Sequence, residues 1–155
     1  MPNLISRRLF HQLILGTVGL AFLSFPSRAA MSLPQVQAYR NPGCGCCEKW
    51  SGLMKDAGFA ITREDDANLA DRKASLGVPT ALSGCHTAII GQYVIEGHVP
   101  PADVIKFLNE KPDALGLAVP GMPAESPGME AGGTADKYDV LLFTKDGKSS
   151  IYASQ

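Results

Sequence analysis

Three of the chain's four cysteines fall within four residues, in the run Asn41-Pro42-Gly43-Cys44-Gly45-Cys46-Cys47. The fourth, Cys85, stands beside His86, shortly after Gly77-Val78-Pro79-Thr80. Thiolates are soft ligands that select Cu(I), Zn(II) and iron–sulfur clusters over hard ions. Structural zinc usually takes two Cys-x-x-Cys arms, or Cys and His pairs at set distances. Here three thiols crowd onto one turn and one arrives from afar. Adjacent Cys46 and Cys47 point in different directions, which strains a mononuclear tetrahedral site. Cu(I) tolerates two or three ligands and thiolates bridge readily, so the pattern favours a soft site for Cu(I), with room for several ions.

A helical pattern opens at Cys46. Unpaired N–H groups and the helix dipole favour a thiolate there, which serves metal capture and redox exchange alike. The run also contains a Cys-x-x-Cys, Cys44 to Cys47, after a strand and before a helix, as in thiol–disulfide oxidoreductases. Other residues are auxiliary candidates. If Cys85 points at the site from an extended segment, His86 points away and is better read as a packed or hydrogen-bonded residue than as a ligand. His98 sits in a loop and fits a supporting or substrate-side role, with Glu96 orienting it or lying in solvent. Met122 and Met129 are flanked by Gly and Pro, and their thioethers suit a copper lid or transfer ligand, or plug gaps in loop packing. Trp50 and Met54 read as core.

The elements that must position these groups follow from periodicity. Gln35 to Arg40 reads as a strand ended by Pro42-Gly43. Trp50, Leu53, Met54 and Ala57 mark one face of a helix, capped by Gly58. Phe59 to Arg63 is a second strand. Asp66 caps a short helix whose apolar side is Leu69, the stem of Lys73, and Leu76. Thr87 to Ile90 and Tyr93 to Glu96 form a hairpin across Gly91-Gln92. Pro101 opens a last helix, with Val104, Ile105 and Leu108 as its buried stripe and Pro112 as its stop. The order β-α-β-α-(Pro loop)-β-β-α is that of a thioredoxin-like domain, and Pro79 is the candidate for its cis-proline. Residues 113–136 form a Gly/Pro/Met loop with no packing period. A hairpin over residues 137–154, turning at Asp146-Gly147, is an added edge of the same α/β domain.

The chain has 155 residues, which fits one domain plus appendages. Its hydrophobic fraction of 45% builds a core without disulfide staples, so the cysteines are free for chemistry. Residues 1–30 have the layout of an export signal: Arg7-Arg8, the apolar run Leu13 to Phe25, then Ser27-Arg28-Ala29-Ala30. Ser6-Arg7-Arg8-Leu9-Phe10 resembles the twin-arginine signature, a pathway that exports folded proteins; a Sec signal is the alternative. Cleavage leaves a domain over residues 31–155 with no stable membrane insertion. It removes three of the 14 basic residues and no acid, leaving 11 against 15 acidic and a net charge of −4. No basic patch remains, so nucleic acid is not the partner.

The ordered set Asn41-Pro42-Gly43-Cys44-Gly45-Cys46-Cys47, Gly77-Val78-Pro79, Ser83-Gly84-Cys85-His86-Thr87, Glu96-Gly97-His98-Val99-Pro100, Pro120-Gly121-Met122-Pro123 and Ser126-Pro127-Gly128-Met129 resembles the CopG-type periplasmic copper-resistance family. The likeness spans about residues 36–154. It implies a thioredoxin-like fold and a thiolate-bridged, multinuclear copper cluster with Cys44, Cys46, Cys47 and Cys85 as ligands. It also implies a role in copper resistance by sequestration or Cu(I)/Cu(II) interconversion in the periplasm. Copper ions, and other periplasmic copper-handling proteins, are the implied partners.

Two other functions compete. One is a thiol–disulfide oxidoreductase using Cys44 and Cys47; a free Cys46 beside that pair would scramble disulfides in an oxidising compartment. The other is an exported interaction module with two structural disulfides; adjacent Cys46 and Cys47 restrict how they can pair. The primary reading is metal binding, with copper oxidoreduction as a compatible activity.

Overall fold

The computed structural model describes residues 33–155. The expected export signal lies outside the described residues. The elements are β1 (Val36–Arg40), α1 (Gly45–Asp56), β2 (Ile61–Asp65), α2 (Leu69–Ser75), a 3-10 turn (Thr80–Leu82), β3 (His86–Ile90), β4 (Tyr93–Glu96), α3 (Pro101–Glu110), β5 (Gly116–Ala118), β6 (Asp139–Phe143) and β7 (Ser149–Ser154). The strands form one mixed sheet in the order β2-β1-β3-β4-β5-β6-β7. β1 pairs β2 in parallel and β4 pairs β5 in parallel; the other neighbours are antiparallel.

Helix α1 buries Cys47, Trp50, Ser51 and Met54. Its inward stripe is one turn nearer the N-terminus than the pattern predicts, and Leu53 and Ala57 are only half-buried. Cys47 therefore shares a face with the core residue Trp50. The helix closes as a Schellman motif. Gly58 N–H donates to Lys55 O, Phe59 N–H donates to Met54 O, and Gly58 takes φ +99°. Phe59 thus belongs to the helix end, which is why β2 begins two residues later than expected. In α3 the fully buried positions are Val104 and Phe107, with Ile105 and Leu108 at the margin. Phe107 meets the ring of Tyr93 edge-on at 4.6 Å.

Three expectations need correction. The 113–136 segment is not all loop, because β5 runs through it and carries the hairpin into the sheet. Gly116 hides this strand from a pattern reading, yet only glycine fits there: a Cβ would lie 1.7 Å from Val94 O. Next, among the described residues no peptide bond is cis, so Val78–Pro79 is trans. Pro79, with φ −63° and ψ 137°, leads out of α2 and accepts the Leu82 N–H, starting the 3-10 turn; a trans proline meets that need. Finally, Lys73 buries its ammonium as well as its stem, because Glu96 is there to meet it.

Candidate metal centre

Cys44 sits at the N-cap of α1, and Cys46 and Cys47 fall in its first turn. Cys85 lies between the 3-10 turn and β3. The strand register sets this meeting: Arg40, the last residue of β1, pairs with His86, the first of β3, so both cysteine segments leave the same end of the sheet. All four sulfurs lie within 4.8 Å of one another. Cys46 Sγ is 3.8 Å and Cys47 Sγ 3.5 Å from Cys85 Sγ, and Cys44 Sγ is 3.5 Å from Cys46 Sγ. The adjacent Cys46 and Cys47 both reach Cys85, despite their different directions from the backbone. Cys44 and Cys47 are joined as a disulfide, and Cys46 and Cys85 are free thiols. Reduction of that one bond would present four thiols to a single point.

Cys85 is also the hub of a second group, with His86 and His98. His98 Nε2 is 2.8 Å from Cys85 Sγ, and its Nδ1 is 2.7 Å from Pro127 O. A carbonyl only accepts, so Nδ1 carries the proton and the Nε2 lone pair faces the sulfur. His86 does not point away as the alternation of an extended segment suggests. Its Nδ1 is 3.4 Å from Cys85 Sγ, because Cys85 precedes the strand proper and its backbone turns there. The His86 ring is buried between Trp50 and His98, at centroid distances of 4.3 and 5.0 Å, and its Nε2 has no partner. Glu96 neither orients His98 nor reaches solvent; it is fully buried against Lys73.

The helix-dipole argument does not extend to Cys85. Burial, followed by the Cys46 sulfur, pushes its thiol up to about 12. It is thus a neutral thiol that donates to His98 Nε2, and any metal bound there would have to displace its proton. Burial also holds His86 well below the ordinary histidine range, and burial lowers His98. For these histidines the unfolded chain binds protons that the folded chain refuses. Stability is then complete above the unfolded pKa of about 6.5 and drops as pH falls below it. Chemical denaturation of the metal-free protein between about pH 7 and pH 5 should show this decline, with a smaller slope in His86→Gln. A flat profile would mean that these imidazoles protonate freely in the fold.

The segment after β5 covers the site. Ser126 is fully buried, Met129 is half-buried and Met122 is 57% exposed. Gly128 presses its backbone on α1, where a Cβ would lie 2.8 Å from both Cys46 O and Trp50 N. Periodicity and motif spacing assign Gly128, Lys73 and Arg40 no role at the site. Arg40 Nη1 donates to Cys44 O at 3.1 Å and to Glu48 at 2.9 Å, while its Nε donates to Asp65 at 2.8 Å. It ties the N-cap of α1 to the ends of β1 and β2. Arg40 at the close of a half-buried strand, just before the cysteine turn, was the available signal. Trp50 Nε1–H donates to Val99 O at 2.9 Å and fixes the turn after His98 to the same helix.

The family described as "Protein of unknown function, DUF411" matches residues 82–129. Two solved structures, copper resistance protein CopG in Form 1 and in Form 2, are each 41% identical in sequence. Each match covers 79% of this chain and 98% of the other, with TM-scores of 0.74 and 0.75. The chain belongs to the CopG-type family. No curated protein matches it in sequence. The α/β fold and the gathering of Cys44, Cys46, Cys47 and Cys85 agree with the reading of the sequence. Among the described residues no helix is long and apolar enough to cross a membrane.

Proposed function

We propose that this protein binds copper in a thiolate-bridged, multinuclear Cu(I) site formed by Cys44, Cys46, Cys47 and Cys85. One observation carries the reading: four sulfurs from two segments 38 or more residues apart lie within 4.8 Å of one another. An all-sulfur donor set selects soft ions, and the solved relatives are copper resistance proteins by name. His98 and His86 are auxiliary groups at Cys85, and Met122 and Met129 are transfer ligands on the covering segment. Anaerobically reduced residues 31–155 are expected to hold more than one Cu(I) per chain, measured by metal analysis with thiol counting. A firm limit of one metal, with tetrahedral zinc preferred over copper, would sink the cluster.

The Cys44–Cys47 disulfide favours a redox element in this reading. Two Cu(II) ions would each take one electron. Cys44 and Cys47 would lose those two electrons and two protons and join as the disulfide. The reverse step returns both electrons and both protons. The same disulfide also favours thiol–disulfide exchange as a second reading. Rapid exchange with a dithiol reporter, in a protein whose copper complement Cys85→Ser leaves unchanged, would support the second over the first.

The domain reading is that residues 31–155 form a thioredoxin-like unit extended by β5, β6 and β7. The run β1-α1-β2-α2-β3-β4-α3 and the partial sheet order β2-β1-β3-β4 support it. The site would work in the periplasm, exchanging copper with other copper-handling proteins, after export by residues 1–30. Arg7-Arg8→Lys-Lys is expected to block export on the twin-arginine route and leave the mature domain foldable. Fractionation showing normal export of that variant would assign the signal to the Sec route.

A further inference from the structure

Behind the cysteines lies a charged pair that metal ligation does not use. Lys73 comes from α2 and Glu96 from the end of β4, and their side chains are 8% and 0% exposed. We propose that this buried ion pair is the positioning element of the metal centre, gripping the backbone on both sides of Cys85 and setting where its sulfur stands.

The grip is specific. Lys73 Nζ donates to Gly84 O at 2.8 Å, to His86 O at 3.4 Å, and to Glu96 Oε1. An ammonium has three N–H bonds, and each has an acceptor. Glu96 Oε1 in turn accepts Gly84 N–H at 2.7 Å. Both polar groups of Gly84 and the carbonyl of His86 are therefore held, and Cys85 is the residue between them. Gly84 is also pressed against the turn before α3, where a Cβ would lie 2.7 Å from Gly97 Cα. The second oxygen, Glu96 Oε2, has no partner, so Oε1 alone serves Lys73 and Gly84.

Stability alone does not require charges here. A buried ion pair replaced by apolar residues of similar volume is often neutral or stabilising, while removal of one partner is strongly destabilising because it leaves the other charge buried alone. What the pair supplies is direction. Cys85 Sγ must stand 3.5 Å from Cys47, 3.8 Å from Cys46 and 2.8 Å from His98 at once, from a bend one residue before the β3 ladder begins at His86, whose carbonyl also accepts the Gly97 N–H at 2.9 Å. A ligand whose supporting shell is loose by about 1 Å no longer completes its site.

The inference rests on the copper reading for one of its two readouts. The variants are Lys73→Met, Glu96→Gln and the double change Lys73→Met/Glu96→Leu, made in residues 31–155. Lys73→Met should destabilise strongly, and the double variant should recover most of the loss. Copper binding should not recover with it. Competition with a chromophoric Cu(I) chelator should show at least about tenfold weaker retention, the scale on which loss of a ligand's supporting partner acts. Adding Cys85→Ser to the double variant should then cost less than Cys85→Ser costs in the wild-type protein, because the two changes act through one sulfur. The metal-independent readout is alkylation of Cys85 in the oxidised Cys46→Ser protein, which should speed up at least about tenfold as the segment loosens. If wild-type protein held no Cu(I), the copper reading would fail alone and this rate would still decide. Stability, alkylation rate and copper retention all returning to wild type in the double variant would overturn the proposal. Should the double variant not fold, Glu96→Gln keeps bulk and weakens the grip; a folded Glu96→Gln with wild-type alkylation and copper retention overturns it equally.

Discussion

Cys85→Ser is expected to lower the number of Cu(I) ions bound, or to weaken those that remain by more than the about 10- to 100-fold that follows loss of a ligand's hydrogen-bonding partner. Cys85 is the sulfur common to the rest: it stands 3.5 Å from Cys47, 3.8 Å from Cys46 and 2.8 Å from His98 Nε2. It is also the one sulfur outside the Cys44–Cys47 turn, so it alone can close the far side of a bridged site. The fold should survive. Cys85 is only half-buried, and a serine hydroxyl can still donate to His98 Nε2, so the change in stability should stay within about 1 kcal/mol. Disulfide exchange through Cys44 and Cys47 should persist. Anaerobic titration with Cu(I) beside a denaturation curve reads both quantities. A wild-type copper complement at wild-type affinity would remove Cys85 from the ligand set, shrink the site to the α1 turn and favour the exchange reading. Because the thiol is pushed up to about 12 by burial, copper bound at Cys85 would displace a proton there. Wild-type affinity should rise with pH across the neutral range, and the Cys85-dependent part of that rise should vanish in Cys85→Ser.

Much of this centre is legible in the sequence because its signals are local. Three cysteines on one turn, Pro101 at a helix start and Asp146-Gly147 between two apolar runs each state their structure within a few residues. Lys73 and Glu96 carry no such signal. They are 23 residues apart; Lys73 alone reads as an apolar stem with its charge in water, and Glu96 alone as a partner of His98 or a solvated strand end. Only the register that brings α2 behind β4 makes them a pair. β5 is hidden for a related reason: Gly116 reads as a breaker, yet it marks the close approach of Val94 O. Pro79 shows the opposite hazard. A motif resemblance suggested a cis bond, whereas the local need, a helix exit into a 3-10 turn, is met in trans. His86 is packed, as its sequence reading prefers, against Trp50; only its direction differs, because alternation does not extend to Cys85, one residue before the strand begins.

Gly128→Ala is expected to lift the covering segment off α1 while the sheet stays folded. Gly128 takes φ +90°, where an L side chain costs about 1–3 kcal/mol, and its new methyl would also meet backbone. Cys46 O and Trp50 N at 2.8 Å and Trp50 Cα at 3.2 Å belong to a helix turn held by its own hydrogen bonds, so they cannot yield as a flexible side chain would. The covering segment is the softer partner. When it moves, Pro127 O leaves His98 Nδ1, and that imidazole loses the bond that fixes its tautomer toward Cys85. Ser126, now fully buried, becomes exposed. Limited proteolysis should therefore show new cleavage within residues 120–136, with the rest of the chain resistant. The same variant tests the methionines. If Met122 and Met129 pass copper outward, displacing their segment should change the rate of transfer to a chelator in the same direction as Met122→Leu/Met129→Leu, which keeps the segment docked and removes only the thioethers. A transfer rate altered in Gly128→Ala but unchanged in the double methionine variant would make the segment a physical cover and the two methionines packing. A Gly128→Ala protein with an intact, protease-resistant segment would show that α1 can give way, and the docking argument would fail.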